Sequence, residues 1–495
     1  MRGAQCSRTA IRVKKSLLPG PPMSRDRLVP LIIAVALFME NMDSTIIATS
    51  LPAIAADIGT NPLALKLAVT SYLLSLAVFI PASGWTADRF GARTVFRAAI
   101  ATFVVGSIGC AFANSLEGFV IARIVQGMGG AMMTPVGRLV LVRSIDKHRL
   151  VDAMAWVTMP ALIGPIIGPP VGGFITTYAS WHWIFLINVP IGLIGIVLAT
   201  RFIEDVRMEN LERFDLVGMV LAGLGVAGLA FGLSVVGLGL VPPPIVAGLL
   251  ATGAIFMTAY VIHARRTAMP VLDFSLIRIP TFRANVVGGS LFRLGIGALA
   301  FLLPLMLQLG FNYTPLQSGL VTFTAAVGAF TMKTFAAGII RRFGFRRILI
   351  VNALIASALT GACGLFTPQT PFGVMIAVLL VGGFFRSLQF TATNVIAYAD
   401  VDARRMSRAT SLVSVAQQLS IAAGVAVGAL AVELAVQLKG SGVITAEDFH
   451  PAFFLIGVIS ASSALLFWML PPDAGASMAN RPPIAAPDAS DQRVG

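Results

Sequence analysis

Long apolar runs alternate with short polar segments along the chain from residue 29 to residue 470. Each run is roughly 20 residues long, which is the length at which an α-helix crosses the hydrocarbon core of a bilayer. Alternating segments of about ten residues, typical of membrane-spanning strands, do not occur in the sequence. The pattern therefore predicts an all-α integral membrane protein.

The apolar runs predict fourteen membrane-spanning helices. They are 29–52, 64–86, 94–113, 117–142, 151–177, 182–202, 215–236, 242–263, 284–308, 315–338, 347–366, 372–397, 407–435 and 451–470. The preceding residues, 1–28, are expected to form a cytoplasmic N-terminal tail. Because Met23 begins MSRDRLVP, a natural start for such a protein, residues 1–22 are expected to be either a wrongly assigned start or disordered. The tail 471–495 is rich in Pro, Ala and Asp and is expected to be disordered and cytoplasmic.

Composition and charge agree with this class of protein. The chain is 57% hydrophobic and 12% charged, with a mean hydropathy of +0.86, whereas soluble domains have about 25% charged residues. A net charge of +14 would suit nucleic-acid binding. However, the basic residues concentrate in alternate loops, and the intervening loops carry only Lys66 and Lys439. This asymmetry predicts a protein without a nucleic-acid partner and with both termini in the cytoplasm.

A short basic motif occurs once in each half of the chain. The sequence DRFGAR at Asp88–Arg93 recurs as RRFGFR at Arg341–Arg346, 253 residues later, each time after the second span of a six-span block. Two parallel halves are a common plan for transporters, with the substrate site between them. We therefore predict an N-terminal six-helix bundle (29–202), two linker helices with a cytoplasmic loop (203–282) and a C-terminal six-helix bundle (283–470).

Two carboxylates, Glu40 and Asp43, lie inside the first predicted span. A spacing of three residues places them on one face of a helix. Because charge at membrane depth is costly, such residues are functional candidates by default. Burial disfavours the charged form of a carboxylate, so a buried acid can exchange a proton near neutral pH. The alternative interpretation is a polar pair that neighbouring helices satisfy.

The loop after the second span reads GWTADRFGARTVF, from Gly84 to Phe96. Its glycines permit a tight turn. Its arginines would hold the loop at the membrane surface, and Asp88 could pair with them or with a helix N-terminus. By itself, the loop is equally explained as a basic segment that sets the topology.

An arginine lies inside the fourth span, in the segment ARIVQGMGGAMMTP. This residue, Arg123, stays charged and needs a partner, for which a carboxylate on a facing helix is the obvious candidate. On chemistry alone, a structural ion pair and a role in coupling are equally good interpretations.

The fifth span contains GPIIGPPVGGF, in which Gly164, Gly168 and Gly172 recur every four residues. Such a stripe makes one smooth helix face against which a neighbouring helix can pack closely. Interleaved prolines, among them Pro165, interrupt the backbone hydrogen bonds and allow bending.

Together these segments resemble the major facilitator superfamily. The G-x-x-x-D-R-x-G-x-R spacing resembles its signature loop, and the glycine–proline pattern resembles the antiporter motif of its drug:proton antiporters. Asp43, Thr45, Leu51 and Pro52 resemble the first-helix motif of the fourteen-span drug:proton antiporters, the EmrB/QacA-type subfamily. The run WHWIFLINVPIG, Trp181–Gly192, is similar to the sixth helix of that subfamily.

The resemblance implies two six-helix bundles with two linker helices and assigns three groups of residues. A proton-coupling group would contain Asp43 and Arg123, and Glu40 is a further candidate for it because it is a second acid on the same helix face. A cytoplasmic latch between conformations would consist of Gly84, Asp88, Arg89, Gly91 and Arg93. A moving helix interface would consist of Gly164, Pro165, Gly168 and Gly172.

The chain departs from the family pattern in three ways. Ala48 stands where the subfamily usually has Asn. Glu40 stands where the subfamily usually has an uncharged residue, and this extra carboxylate would alter the proton stoichiometry, favour cationic substrates, or be silent against another helix. Arg341 stands in the second loop where the first has Asp88, so the latch is expected on one side only.

Further polar residues within predicted spans are candidates for lining a substrate cavity. They are Asn41, Gln126, Arg293, Arg386, Gln389, Asn394 and Gln418. A satisfied network between helices explains such residues about as well as substrate contact does.

These observations predict a secondary transporter of the cytoplasmic (inner) membrane that exports small amphipathic or toxic compounds in exchange for protons by alternating access. The alternative is a specific metabolite exporter or uniporter of the same fold. The expected partners are a small-molecule substrate, protons and the lipid bilayer. No cofactor is expected because the proton gradient supplies the energy, and no metal is expected either. A periplasmic adaptor is left open.

Other functional classes fit the sequence poorly. The chain has no Gly-Lys dipeptide and hence no P-loop of the usual pattern, which argues against an ATP-driven pump. It has no G-x-S-x-G elbow, four histidines in loops or at span ends, and three cysteines without metal or disulfide spacing. We therefore expect no enzymatic activity.

Overall fold

The computed structural model describes residues 25–145, 150–204, 214–236, 241–267, 269–402, 405–440, 443–476 and 478. In this part of the chain it contains helices and turns but no β-strand, which confirms the predicted all-α fold. Most of the predicted N-terminal tail, including the alternative start at Met23, lies outside the described residues. Of the predicted C-terminal tail, 471–495, the structure describes 471–476 and 478, with turns over 472–476.

Fourteen long helices follow one another through the described residues. They are α1 (Arg25–Ile46), α2 (Lys66–Phe79, continued by Ser83–Phe90), α3 (Ala92–Ala111), α4 (Leu116–Ser144), α5 (Leu150–Tyr178), α6 (Asn188–Phe202), α7 (Leu216–Val235), α8 (Pro243–Arg266), α9 (Gly289–Leu305), α10 (Pro315–Phe343), α11 (Phe345–Ala362), α12 (Phe372–Ile396), α13 (Met406–Lys439) and α14 (His450–Trp468). Thirteen of these, with their flanking turns, are long and apolar enough to cross a membrane. The other is α5, whose 29 residues coincide with the predicted span 151–177.

Side chains cap the N-termini of several helices. Ser115 accepts a hydrogen bond from the Gly118 amide at the start of α4 (3.2 Å). Thr314 and Gln317 form a reciprocal capping box at the start of α10. These caps satisfy backbone donors that lack partners in the first turn of a helix, which explains why the helices begin where they do.

The helices of the two halves pack in the same order. In the first half, α1 packs along α5, α2 against α4, and α3 against α4 and α6. In the second half, α9 packs along α13, α10 against α12, and α11 against α12 and α14. Each second pair follows from the first by adding eight to the helix number, in agreement with the internal repeat of the sequence. The boundaries of the bundles (29–202 and 283–470) and of the linker (203–282) stay predictions.

The repeated basic motif makes the same local structure twice. Gly91 (φ +92°) and Gly344 (φ +76°) join α2 to α3 and α10 to α11 in backbone conformations that favour glycine. Arg93 donates to the carbonyl of the residue after α6 (3.5 Å), and Arg346 donates to the carbonyl of the last residue of α14 (2.9 Å). In each half, an arginine of the motif therefore ties this loop to the end of the sixth helix.

The first contact region between the halves is the α5–α10 seam. A Cβ atom on Gly319 of α10 would lie against the Pro169 carbonyl of α5, and one on Gly173 would lie against the start of α10. Nearby, the Leu316 amide donates to the hydroxyl of Thr177 (3.1 Å). Backbones can approach this closely only where small residues face each other.

The second contact region is the α2–α13 seam, which is closed by a buried ion pair. Lys66 Nζ lies 2.9 Å from Glu433 Oε1 and 3.0 Å from Oε2. The two residues are 0% and 7% exposed. Lys66 also donates to the carbonyl of Val236, just after α7 (3.4 Å), so this ion pair joins both halves and a linker helix.

We predict that Gly319→Val opens the α5–α10 seam, because the added side chain meets the α5 backbone. Overpacking of this kind costs about 1–3 kcal/mol, which corresponds to a roughly 5- to 150-fold shift in population. The measurement is disulfide cross-linking between Thr177→Cys and Leu316→Cys in a protein whose native cysteines have been replaced. Gly338→Val on the same helix is the control, because a Cβ there meets nothing within 4 Å. Equal cross-linking in both variants would contradict the prediction.

Candidate functional site

A buried ion pair joins the first and fourth helices. Arg123 Nη1 on α4 donates to Asp43 Oδ2 on α1 over 2.7 Å, and the residues are 1% and 0% exposed. Asp43 lies six residues before Thr49, the last residue of the first span. At 1.5 Å per residue, this places the carboxylate about 9 Å inside the span.

Three more side chains complete what we call the Asp43 cluster: Asp43, Ser107, Arg123, Gln126 and Asn188. The amides of Gln126 and Asn188 donate to Asp43 Oδ1 over 2.9 and 2.8 Å. The same amides donate to the hydroxyl of Ser107 over 2.8 and 3.2 Å. Arg123 also donates to Gln126 Oε1. Four helices, α1, α3, α4 and α6, therefore converge on one carboxylate.

An aromatic ring covers the arginine of this cluster. Arg123 Cζ lies 4.2 Å from the centroid of the Tyr72 ring on α2, a cation–π distance. The Tyr72 hydroxyl and Glu40 Cγ both lie within 4 Å of the position that a Cβ on Gly130 would take. Tyr72 therefore extends from the Asp43–Arg123 pair towards the second acid of α1.

That second acid, Glu40, has different surroundings from Asp43. Its Oε2 atom accepts a hydrogen bond from the hydroxyl of Thr134 on α4 over 2.8 Å, and the residue is half-buried. Thus the two carboxylates predicted on one helix face both contact α4, one through an arginine and the other through a hydroxyl. The first is enclosed, whereas the second is partly accessible.

The glycine stripe of α5 packs against the helix that carries both acids. A Cβ on Gly164 would lie 3.0 Å from the α1 backbone and 3.3 Å from Asn41 Cβ. Cβ atoms on Gly168 and Gly172 would also meet α1 atoms. Pro165 lies within the stripe and is half-buried. Any change in the angle between α1 and α5 must therefore be accommodated along this contact.

The predicted latch loop has its ionic contact with another helix. Asp88 pairs with Arg143 in the last turn of α4, rather than with the arginines of its own loop or with a helix N-terminus. The physical reason is that α4 has 29 residues and its last turn reaches the loop. Arg89 is exposed, and a Cβ on Gly84 would meet nothing within 4 Å.

The candidate cavity residues lie in several different places. Gln126 belongs to the fully buried Asp43 cluster. Asn41 donates to the Leu37 carbonyl of its own helix over 2.7 Å. Gln389 joins α12 to α11 by donating to the Leu349 carbonyl over 3.1 Å. Gln418 is half-buried on α13.

The three remaining candidates are Arg293 on α9 and Arg386 and Asn394 on α12. Arg293, which is 1% exposed, donates to Asn394 Oδ1 over 3.0 Å. Arg386 is half-buried on α12, and its guanidinium lies beside Gly382. The structure thus brings Arg293 and Asn394 together and leaves Gln389 in a separate helix interface.

Sequence reasoning missed several residues of these sites. Ser107, Asn188 and Tyr72 surround the Asp43–Arg123 pair, and Glu433 partners Lys66 across the seam. Isolated polar residues in apolar spans, such as Asn188 and Glu433, are the signal that could have drawn attention to them. Which of them meet was not visible, because their partners are far away in the chain.

Comparisons with known proteins agree with this architecture. The family model described as Major Facilitator Superfamily matches residues 33–262 and 286–490. The chain is 37% identical over 444 residues to the putative multidrug resistance protein MdtD of Pectobacterium atrosepticum, covering 89% of this chain and 95% of that protein. It is 36% identical over 449 residues to the protein of the same name from Yersinia enterocolitica, covering 90% and 95%.

A solved structure shows the same fold. The crystal structure of a D-xylose–proton symporter superimposes with a TM-score of 0.66 at 16% identity, covering 91% of this chain and 99% of that one. The fourteen-span drug:proton antiporter subfamily stays a prediction. Because the family model matches most of its length, the chain belongs to the Major Facilitator Superfamily and is a multi-pass membrane transporter.

Proposed function

We propose that the protein is a proton-coupled antiporter that exports small amphipathic or toxic compounds by alternating access. The observation that carries the proposal is the fully buried Asp43–Arg123 pair, which three neutral side chains surround at membrane depth. A carboxylate held in this way can change its charge only if its surroundings change as well.

Protonation of Asp43 would couple to helix movement through its partner. When Asp43 loses its charge, Arg123 becomes a buried cation without a counter-charge, which is strongly unfavourable. A rearrangement that lets Arg123 find another partner or water is then favoured. The proton thus shifts the conformational equilibrium because it has different affinities for the two states. Glu40, one turn away and partly accessible, is the proposed second site on the proton path.

Movement at the Asp43 cluster would reach the contacts between the halves through α5. The glycine stripe of α5 packs on α1, and the far end of the same helix forms the α5–α10 seam. At the same end of the bundle, the amide of Gln308 donates to the carbonyl of Thr49 over 3.0 Å. These contacts support an arrangement that is closed at the end where α1 ends and that admits substrate from the other end.

The relatives and the loop charges support the remaining parts of the proposal. Two relatives at 36–37% identity are named as putative multidrug resistance proteins, which favours toxic compounds as substrates. The basic residues in alternate loops support a location in the cytoplasmic membrane with both termini inside. The proton gradient is the proposed energy source. A specific metabolite exporter or uniporter of the same fold is the alternative, and a uniporter would transport without moving protons.

We predict that Asp43→Asn abolishes substrate-dependent proton movement and lowers the free energy of unfolding by about 3–5 kcal/mol, because Arg123 is left unpaired. In Asp43→Asn/Arg123→Gln, the neutral pair should recover much of this stability but not the proton movement. Inside-out vesicles with an acidic lumen and a fluorescent pH probe would be used, with lipophilic cations, dyes and weak acids added in turn. Thermal unfolding measures the stability.

A carboxylate outside the membrane serves as the control for this experiment. Asp273 lies 2.8 Å from Arg405. Burial alone would raise the pKa of Asp273, but hydrogen bonds from Ser275 and Arg405 and the charge of Arg405 lower it below its ordinary value. Asp273 therefore stays ionised at neutral pH, and Asp273→Asn should retain proton movement. If Asp43→Asn also retained it, proton coupling through Asp43 would be wrong.

We further predict that the Lys66–Glu433 pair holds the α2–α13 seam closed. Glu433→Gln leaves a buried lysine unpaired and should cost about 3–5 kcal/mol of stability, whereas Lys66→Met/Glu433→Leu should be close to neutral. The double variant should nevertheless transport more slowly, because the closed state has lost its ionic contact. Thermal unfolding and substrate efflux are the two measurements. Native transport by the double variant would contradict a role of the ion pair in transport.

A further inference from the structure

The two halves place opposite charges on their first helices, Glu40 on α1 and Arg293 on α9. Each lies on the first helix of its half and contacts the fourth. Glu40 accepts from Thr134 on α4 over 2.8 Å, and Arg293 donates to Asn394 on α12 over 3.0 Å. The first helix thus carries a carboxylate in one half and a guanidinium cation in the other.

Arg293 differs from the other fully buried cations of the described residues in the charge of its partners. Arg123 and Lys66 each contact a carboxylate. Arg293 instead contacts the side-chain oxygen of Asn394 and the backbone carbonyl of Asn285 (3.3 Å), which are both neutral. In the part of the chain that the structure describes, no carboxylate lies within ion-pair distance of its guanidinium. A buried cation without a counter-charge is costly, so its presence calls for a ligand that compensates it.

The surroundings of Arg293 suit a ligand with both an acidic and an apolar part. Its Cζ atom lies 5.9 Å from the ring centroid of Phe390. Arg386, Phe390 and Asn394 are spaced four residues apart on α12, which places them on one face of that helix. This face therefore presents a second cation, an aromatic ring and the Arg293 contact in succession.

We propose that Arg293 binds the acidic group of the exported solute, so that the substrates are amphipathic organic anions. This inference rests on the proposed export function and names its substrate class. A guanidinium can donate two parallel hydrogen bonds to a carboxylate, and the ring beside it provides apolar contact. The proposed anionic substrates differ from the cationic substrates that Glu40 alone suggested in the sequence.

The test is equilibrium binding to the purified full-length protein in phosphatidylcholine nanodiscs. Isothermal titration would compare three probes with the same ring: 1-naphthaleneacetate, its neutral amide and 1-naphthylethylamine. Charge-assisted hydrogen bonds predict a preference of about tenfold or more for the anion over the amide. Arg293→Gln should reduce this preference to near unity, and Arg293→Lys should keep most of it. Arg347→Gln, which removes an exposed charge, should leave it unchanged.

Three outcomes would overturn the proposal. The native protein could bind the amide as tightly as the anion. Arg293→Gln, with a native elution profile and thermal transition, could bind the anion and the amide more weakly by the same factor, which would show that Arg293 has a structural role and does not recognise the acidic group. Phosphatidylglycerol in the nanodiscs could abolish anion binding in the native protein, which would assign Arg293 to a lipid headgroup. The binding test uses no proton gradient, so its failure would leave proton coupling through Asp43 untouched. Failure of the proton-movement test would likewise leave the binding result for Arg293 standing.

Discussion

A charge inside the bilayer must be compensated, and the Asp43–Arg123 pair is the point from which the N-terminal half is organised. Neither side chain can be buried without the other, because each unpaired charge would cost several kcal/mol. The remaining oxygen of Asp43 is occupied by amides from α4 and α6, and Ser107 of α3 accepts from the same amides. Four helices are therefore held in register by one carboxylate, and its protonation would disturb all of them together.

The packing converts this local constraint into a connection between the two halves. Helix α1 carries both acids and packs on the glycine stripe of α5. No α5 side chains separate the two helices along this stripe, so movement of one helix is transmitted directly to the other. The same α5 meets α10 through facing small residues, and the Lys66–Glu433 pair closes the other seam. Close backbone contacts and a buried ion pair are both sensitive to small displacements, which suits a seam with two discrete arrangements.

The repeat shows how one scaffold can hold different chemistry. Gly91 and Gly344 make equivalent turns, and Arg93 and Arg346 make equivalent contacts with the sixth helices. Backbone geometry is thus preserved between the halves. The charges differ between the first helices, where α1 carries Glu40 and α9 carries Arg293. A symmetric framework with asymmetric charges would allow one half to handle protons and the other to recognise substrate.

Hydropathy and local spacing act within one segment, so they were enough to predict the spans, the repeat, the glycine and proline positions and the acids of the first helix. The tertiary structure was needed to learn which polar side chains meet. Asn188 reaches Asp43 across 145 residues of chain, and Lys66 reaches Glu433 across 367. It also decided that Asp88 pairs with Arg143 and that Gln126 joins the buried cluster. These contacts depend on how the helices are rotated and tilted against each other, and apolar faces of similar composition leave that choice to the packing of the whole bundle.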